Sequence, residues 1–426
     1  MKNINWNGSL PLAILSFGNI ICSFLLQVLM LSIVGVSGNT DIFIFISTIP
    51  LLISSVISGL LNNVLLPYFS TNRADLSEVI WEVLKIVVFY SFILSFSTYV
   101  ALTLVFRIPY FNNYFTSNDL INEILLFQVL AMFLSIVYSV IWSYTNSMGY
   151  HFKSEFIPFL ISFGSIPLAY YILPIFGVVS IAYLLAFKYF LSIVFQVIYI
   201  EYKVFDCRLD LNLVKLLWKK IKPILFSSMY YKSDLLVERF LLMNAPVGSL
   251  SILNLSQQLI NAGIQVVTKS YNTPIVKNIA TIYIANNNLY KKSFNKSILL
   301  ISIVLITLIV VLYCFPEIFY YFFYFSDKLR AVHNDIWFFT FLLSGVLISN
   351  CIASLVNSSF YISGDTTTPS KISSLIFTLF LPIKIIIYQI YGIEAMIFST
   401  SFYCLVNLAF LIYYHNKMVL DKCSLT

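Results

Sequence analysis

Long apolar runs separated by short polar breaks organise this chain. No charged side chain occurs between Lys2 and Asp41, and comparable intervals run from Asp41 to Arg73, Glu123 to His151, Glu155 to Lys188, Lys296 to Glu317 and Asp335 to Asp365. Each interval meets or exceeds the roughly 20 residues that cross a bilayer as a helix. The runs are continuously apolar rather than alternating with a period of two, which excludes a transmembrane β-barrel. Breaking the chain at charges, Pro, Gly and Asn predicts helices over 10–34, 41–68, 80–106, 120–145, 155–176, 178–200, 221–243, 247–275, 294–324, 334–361, 369–391 and 392–415. The expected fold is an all-α polytopic membrane protein of about twelve spans. The first run follows only Lys2 and precedes no small-residue cleavage pattern, so it reads as a retained span rather than a signal peptide.

Composition sharpens this picture. Apolar residues make up 60% of the 426 and charged residues 10%, a balance no water-soluble globular domain has. The formal net charge of +7 is distributed by topology. With an even number of spans, Lys2, Arg73, Lys153, the cluster Lys215, Lys219, Lys220 and Lys222, Lys277, Lys291, Lys292, Lys296, Lys371 and Lys417 fall on the side of the termini. Only Arg107, Lys328 and Arg330 fall in loops on the other side. The positive-inside rule makes the termini cytoplasmic. Richness in Ile, Phe, Asn, Tyr and Lys with little Ala and Gly matches an AT-rich bacterial coding bias and so suggests a bacterial cytoplasmic membrane. Nothing in the charge pattern calls for nucleic acid. Cys22, Cys207, Cys314, Cys351, Cys404 and Cys423 are scattered, with no C-x-x-C spacing, and read as ordinary thiols. Tyr320 to Tyr324 fit an aromatic belt at one interface, and Tyr413 and Tyr414 fit one at the other.

The domain reading follows from the longest polar stretch. Residues 201–222 carry the lysine cluster around Leu213, Leu216, Leu217 and Trp218, an amphipathic connector between an N-terminal lobe over 1–200 and a C-terminal lobe over 223–426. The halves echo one another: Pro67, Gly149 and Gly177 correspond to Pro274, Gly364 and Gly392, and the last interval is 177 − 149 = 392 − 364 = 28 residues. Parallel repeats of six helices place a substrate cavity between the lobes near mid-membrane.

Few residues can carry chemistry. A charge at the centre of a membrane helix costs about 2.5–3.5 kcal/mol on insertion scales, so it needs a partner, water or a route to the interface. The seventh span concentrates such charges: Lys232, Asp234, Glu238 and Arg239 in YYKSDLLVERFLL. At about 100° per residue Lys232 and Arg239 share one face, and Asp234 and Glu238 another. Two readings stand for them: an ion-pair network that fixes helix packing, or a substrate and ion pathway. Lys188 and Lys384 also lie deep in their spans, whereas Lys269 is near enough to an interface to snorkel. Asp41 opens the second span, where the helix dipole alone favours a carboxylate. On the eighth span Asn254, Gln257, Gln258, Asn261 and Gln265 recur at helical spacing, suited to sugar hydroxyls or to bonds between helices. His151, His333 and His415 lie in loops or at a helix end, no P-loop, G-x-S-x-G or H-E-x-x-H occurs, and no cofactor is implied.

Three segments carry a family resemblance. GVSGNTDIFIFISTIPLLISSVISGLLNNVLLPYFS (Gly35 to Ser70) resembles the first signature of the MurJ/MviN lipid II flippases. LLVERFLLMNAPVGSLSILNLSQQL (Leu235 to Leu259) resembles the opening of their second lobe, and NSSFYISGDTTTPSKI (Asn357 to Ile372) their Phe-Tyr, Asp-Thr, Thr-Pro turn. The resemblance implies the multidrug/oligosaccharidyl-lipid/polysaccharide (MOP) exporter superfamily. It also implies two six-helix lobes that alternate between inward-open and outward-open states, and an undecaprenyl-diphosphate-linked glycan as substrate. Asp41, Glu238 and Arg239 match polar positions of the family pattern. Gln258 stands where the second-lobe cavity arginine is expected, residues 1 to 72 hold no arginine, and the two extra C-terminal helices of lipid II flippases are missing. These departures favour a Wzx-like exporter of O-antigen or capsule repeat units.

On this reading Lys232 and Arg239, helped by Lys188, Lys384 or Lys269, attract the diphosphate, Gln257 and Gln258 bind sugars, and Asp234, Glu238 or Asp41 couple H+ or Na+. The implied partners are the lipid-linked glycan, membrane lipids and proteins of glycan polymerisation and biosynthesis. Two rival readings remain, an ion-coupled multidrug or small-solute antiporter and a lipid-modifying membrane enzyme. The outer loops are too short to build an enzyme site comfortably.

Overall fold

The computed structural model describes residues 6–71, 76–108, 118–200, 218, 222, 225–226, 228–268, 275, 287–362, 365 and 367–417. The described residues are helical with turns between, and the chain falls into two compact units, Met1–Met243 and Asn244–Thr426.

In the first unit α1 (Trp6–Ile33), α2 (Gly38–Thr71), α3 (Leu76–Phe106), α4 (Asn118–Ser147), α5 (His151–Phe176) and α6 (Val179–Val197) cover the six expected spans. The helix α7 (Asp234–Leu242) follows. α4 is the hub, packed against α2, α3, α5 and α6. Its serines Ser135, Ser139 and Ser143 are buried and return their hydroxyls to carbonyls of their own helix, which lets neighbouring backbones approach without leaving a polar atom exposed to lipid. α5 buries Ser154, Pro158, Ser162, Ser165, Ala169 and Leu173, a seam of mostly small side chains at three- and four-residue spacing, and packs on α1 and α6. α7 packs on α2, where Leu225 and Leu236 cover a cluster of Leu52, Val56 and Leu60. This contact makes the compact units divide after the seventh span, a helix later than the lobe boundary expected from sequence. The connector expected over 201–222 lies outside the described residues, except Trp218 and Lys222, which are exposed.

The second unit holds α8 (Ser249–Val267), α9 (Asn287–Cys314), the short α10 (Glu317–Phe322) and α11 (Asp327–Ala331), α12 (His333–Leu342), α13 (Ser344–Ile362) and α14 (Thr368–His415). The ninth span stops at Cys314 rather than running to 324, because Pro316 has no N–H to continue the ladder. The expected aromatic belt is only partly exposed: Tyr321, Phe322 and Tyr324 face outward, but Phe323 is buried. α12 and α13 together are long and apolar enough to cross a membrane, with a bend of 42° between them. α14 is two spans joined at Gly392, whose φ of +80° is open to glycine at little cost.

Eight of these helices are long and apolar enough to cross a membrane, or nine if the bent pair is one span. Resolving α14 into two and adding the charged seventh span and the polar α8 brings the architecture to the expected twelve. The internal echo is visible in the backbone. Gly177 and Gly392, which the sequence pairs, both take positive φ at the junction between consecutive spans, as Gly35 and Gly248 do at the first junction of each half.

Candidate functional site

The charges of the seventh span divide by depth. Glu238 and Arg239 are each 3% exposed, whereas Lys232 and Asp234 are half-buried. The division into a Lys232/Arg239 face and an Asp234/Glu238 face does not describe this burial. Adjacent opposite charges bury together because each offsets the other's loss of water. Arg239 feels the attraction of both Glu238 and Asp41. Asp41 lies in the first turn of α2, so this cluster sits where α2 begins and α7 ends, and Asp41 is there more than a dipole-favoured first-turn carboxylate. Lys232 lies further back, beside a tightened turn in which Ser233 N–H reaches the carbonyls of both Met229 and Tyr230 at 3.0 and 3.2 Å.

A second polar group crosses the first unit at mid-helix. Lys188 stands in the inward row of α6 with Ser180, Leu184, Ser192 and Gln196, all buried, and is itself half-buried. Its Nζ donates to Asn19 Oδ1 of α1 at 3.3 Å, and the same oxygen accepts from Ser162 Oγ of α5 at 2.7 Å. Nearer the start of α5, Glu155 accepts from Ser16 Oγ at 3.0 Å and from Trp142 Nε1 at 3.3 Å. Asn19, Ser162 and Glu155 went unremarked as site residues in the sequence, because their partners come from separate helices.

In the second unit Lys384 is 4% exposed on α14. On α8, Leu250, Leu253, Ser256, Ile260 and Val267 turn inward. Asn254, Gln257 and Gln258 are half-buried, and Asn261 and Gln265 are exposed. At about 100° per residue these five amides occupy one arc of roughly 100°. A helix of membrane-spanning length thus carries an amide-lined arc that runs from half-buried at Asn254, Gln257 and Gln258 to exposed at Asn261 and Gln265. Lys269 lies outside the described residues. One buried cluster had no sequence signal at all: His415 Nε2 meets Ser359 Oγ at 2.5 Å and Tyr290 OH at 3.3 Å, with the ring stacked on Phe294 at 4.3 Å.

Taken together, the helical count, the repeated positive-φ glycines and the deep charges define a multi-pass membrane protein with the fold of the MOP superfamily transporters. Among solved structures, the lipid II flippase MurJ in an inward closed conformation superposes with a TM-score of 0.76 at 15% identity, covering 98% of this chain and 90% of that one. A MOP superfamily transporter from Pyrococcus furiosus gives 0.70 at 13% identity, with 97% and 96% covered. The inward-facing conformation of a multidrug resistance MATE family transporter gives 0.70 at 13% identity, with 97% and 95% covered. No protein-family model and no curated protein matches the chain.

Proposed function

We propose that this chain is a flippase that moves an undecaprenyl-diphosphate-linked glycan from the inner to the outer leaflet of the bacterial cytoplasmic membrane, with both termini cytoplasmic. The observation that carries the reading is the amide-lined arc of α8, with Asn261 and Gln265 exposed on it, in a fold shared with a lipid II flippase. Lipid does not tolerate a stripe of amides at membrane depth, so such a face belongs to a watered path, and amides suit sugar hydroxyls. Gln257 and Gln258 are the assigned sugar contacts.

The deep cations suit a diphosphate. Lys232, half-buried and not bound into the α2–α7 cluster as Arg239 is, is the leading headgroup contact, with Lys384 and Lys269 as further attractors. Arg239 is assigned with Asp41 and Glu238 to a charge cluster that reorganises during transport and couples H+ or Na+, with Asp234 beside Lys232 as an alternative coupling carboxylate. Outward movement of an anionic headgroup gains about 2.3 kcal/mol per charge per 100 mV with the inside negative, so no nucleotide is required. The absence of arginine from residues 1 to 72 favours an O-antigen or capsule repeat unit over lipid II. Proteins of glycan polymerisation are the partners that would consume the product.

The MATE-like structures favour one rival, an antiporter of cationic drugs. A cationic substrate needs accessible carboxylates, and Glu238 is buried against Arg239. Binding distinguishes the two. Purified protein should be stabilised against heat by a short-chain polyprenyl-diphosphate sugar and not by lipophilic cations, and Lys232→Glu should remove that response. Stabilisation by cations, unchanged in Lys232→Glu, contradicts the flippase reading.

A further inference from the structure

We propose that Lys188, Asn19 and Ser162 form a binding site for a small inorganic anion of the halide class within the first unit, distinct from the charge cluster of α2 and α7. The three side chains come from the middle of the 28-residue α1, the 26-residue α5 and the 19-residue α6, so they lie at half-depth. A lysine there cannot snorkel to either interface, and its charge must be met where it stands.

Among the described residues, neutral groups alone meet it. Lys188 Nζ has one bond, to Asn19 Oδ1 at 3.3 Å, and that oxygen is already shared with Ser162 Oγ at 2.7 Å. Among the described residues no carboxylate reaches Lys188. Glu155 is seven positions back along α5, roughly 10 Å at 1.5 Å per residue. Both its oxygens are engaged, by Ser16 and Trp142. The other titratable neighbour is the Cys22 thiol, a neutral group one turn from Asn19 on α1. An ammonium has three N–H groups and an amide nitrogen two. With Asn19 Oδ1 shared and the Ser162 proton committed to it, the donors that remain are two N–H of Lys188 and the amide N–H2 of Asn19, beside the lone pairs of Ser162 Oγ. A positive centre with donors in excess is complementary to an anion.

Size sets the class. Gly18, next to Asn19, faces Phe159 so closely that a Cβ there would stand 2.5 Å from the ring. The α5 seam on either side is made of Pro158, Ser162 and Ser165. With the Phe159 ring filling the space beside Gly18, the neighbourhood of Asn19 suits a single-atom ion, whereas a phosphate needs room for its tetrahedron of oxygens. An ion held by Lys188 and Asn19 ties α1 to α6 and offsets the lysine charge at half-depth, so its occupancy stabilises this unit whatever the transported substrate is.

The test uses the full-length protein in nanodiscs, with thermal unfolding followed at fixed pH, sodium concentration and ionic strength while chloride or bromide replaces gluconate. A saturable rise in Tm is expected for both halides. It should vanish in Lys188→Gln, move to higher concentration in Asn19→Leu, and persist in Lys188→Arg. A halide response of equal size in Lys188→Gln overturns the proposal. So does a response that fails to saturate, or one given by phosphate in place of halide. Should Lys188→Gln fail to fold, the anomalous signal of bromide in crystals of the unaltered protein decides. A peak against Lys188 Nζ supports the site, and no peak there overturns it.

Discussion

Arg239 and Glu238 are neighbours in sequence, opposite in charge and equally buried, and that combination sets how they should respond to substitution. Removing one partner of a buried pair strands the other charge at a cost of about 3–5 kcal/mol, while replacing both by apolar residues of similar volume is often nearly neutral. Arg239→Met and Glu238→Leu are each expected to lower thermal stability strongly, and the double variant to recover most of the loss. A double variant less stable than either single one contradicts the pairing. Asp365 acts at the surface end of its unit, where its Oδ1 accepts from the N–H groups of Thr367 and Thr368 at 3.0 Å each. Burial pushes its carboxyl up, but these bonds and those from the threonine hydroxyls outweigh it and hold the group below the usual carboxylate range. A depressed folded-state pKa gives stability that is complete above the unfolded-state value and lost as pH falls through the folded one. Asp365→Ala should therefore cost about 1 kcal/mol at neutral pH, and the gap in Tm from the unaltered protein should close in acid, below the ordinary carboxylate range. A gap that widens in acid contradicts the assignment. At this scale the sequence disclosed which residues were charged and deep, but not their partners. Asn19, Ser162 and Lys188 lie 143 and 169 positions apart in their hydrogen bonds, a distance no local pattern encodes.

Helices were the most legible level, because uncharged runs and Pro or Gly breaks state directly where a backbone can sit in lipid. The misplaced end of the ninth span had its signal in Pro316, which the aromatic run behind it overrode. The bend between α12 and α13 had none, since Leu342, Leu343 and Ser344 are unremarkable in composition. Its support is tertiary: Ser401 Oγ of α14 donates to the Leu342 carbonyl. Gly345 lets α14 approach so closely that a Cβ would meet Ser401 Cβ at 2.8 Å. Gly345→Ala should overpack this crossing and cost about 1–3 kcal/mol, and adding Ser401→Gly should relieve part of it. Tm values of the two variants, measured side by side, check this. An equal loss in both would place the strain elsewhere.

For the whole molecule, the repeat was readable because Gly177 and Gly392 perform the same backbone task at the same point of each half. The grouping of the seventh span with the first unit was not, since it depends on α7 packing on α2 rather than on any break in the chain. The transport reading rests on deep cations and an amide-lined arc of α8 within a fold shared with MurJ and MATE transporters. Flipping itself is the measurement closest to that claim. Proteoliposomes holding the purified protein and a labelled undecaprenyl-diphosphate glycan in one leaflet, with a potassium-diffusion potential imposed, report translocation by accessibility of the sugar to an external probe. The label should cross faster with a potential that drives anions toward the receiving leaflet, and slow at least tenfold in Lys232→Glu. A rate equal to that of protein-free vesicles, or one indifferent to both the potential and Lys232→Glu, would contradict it.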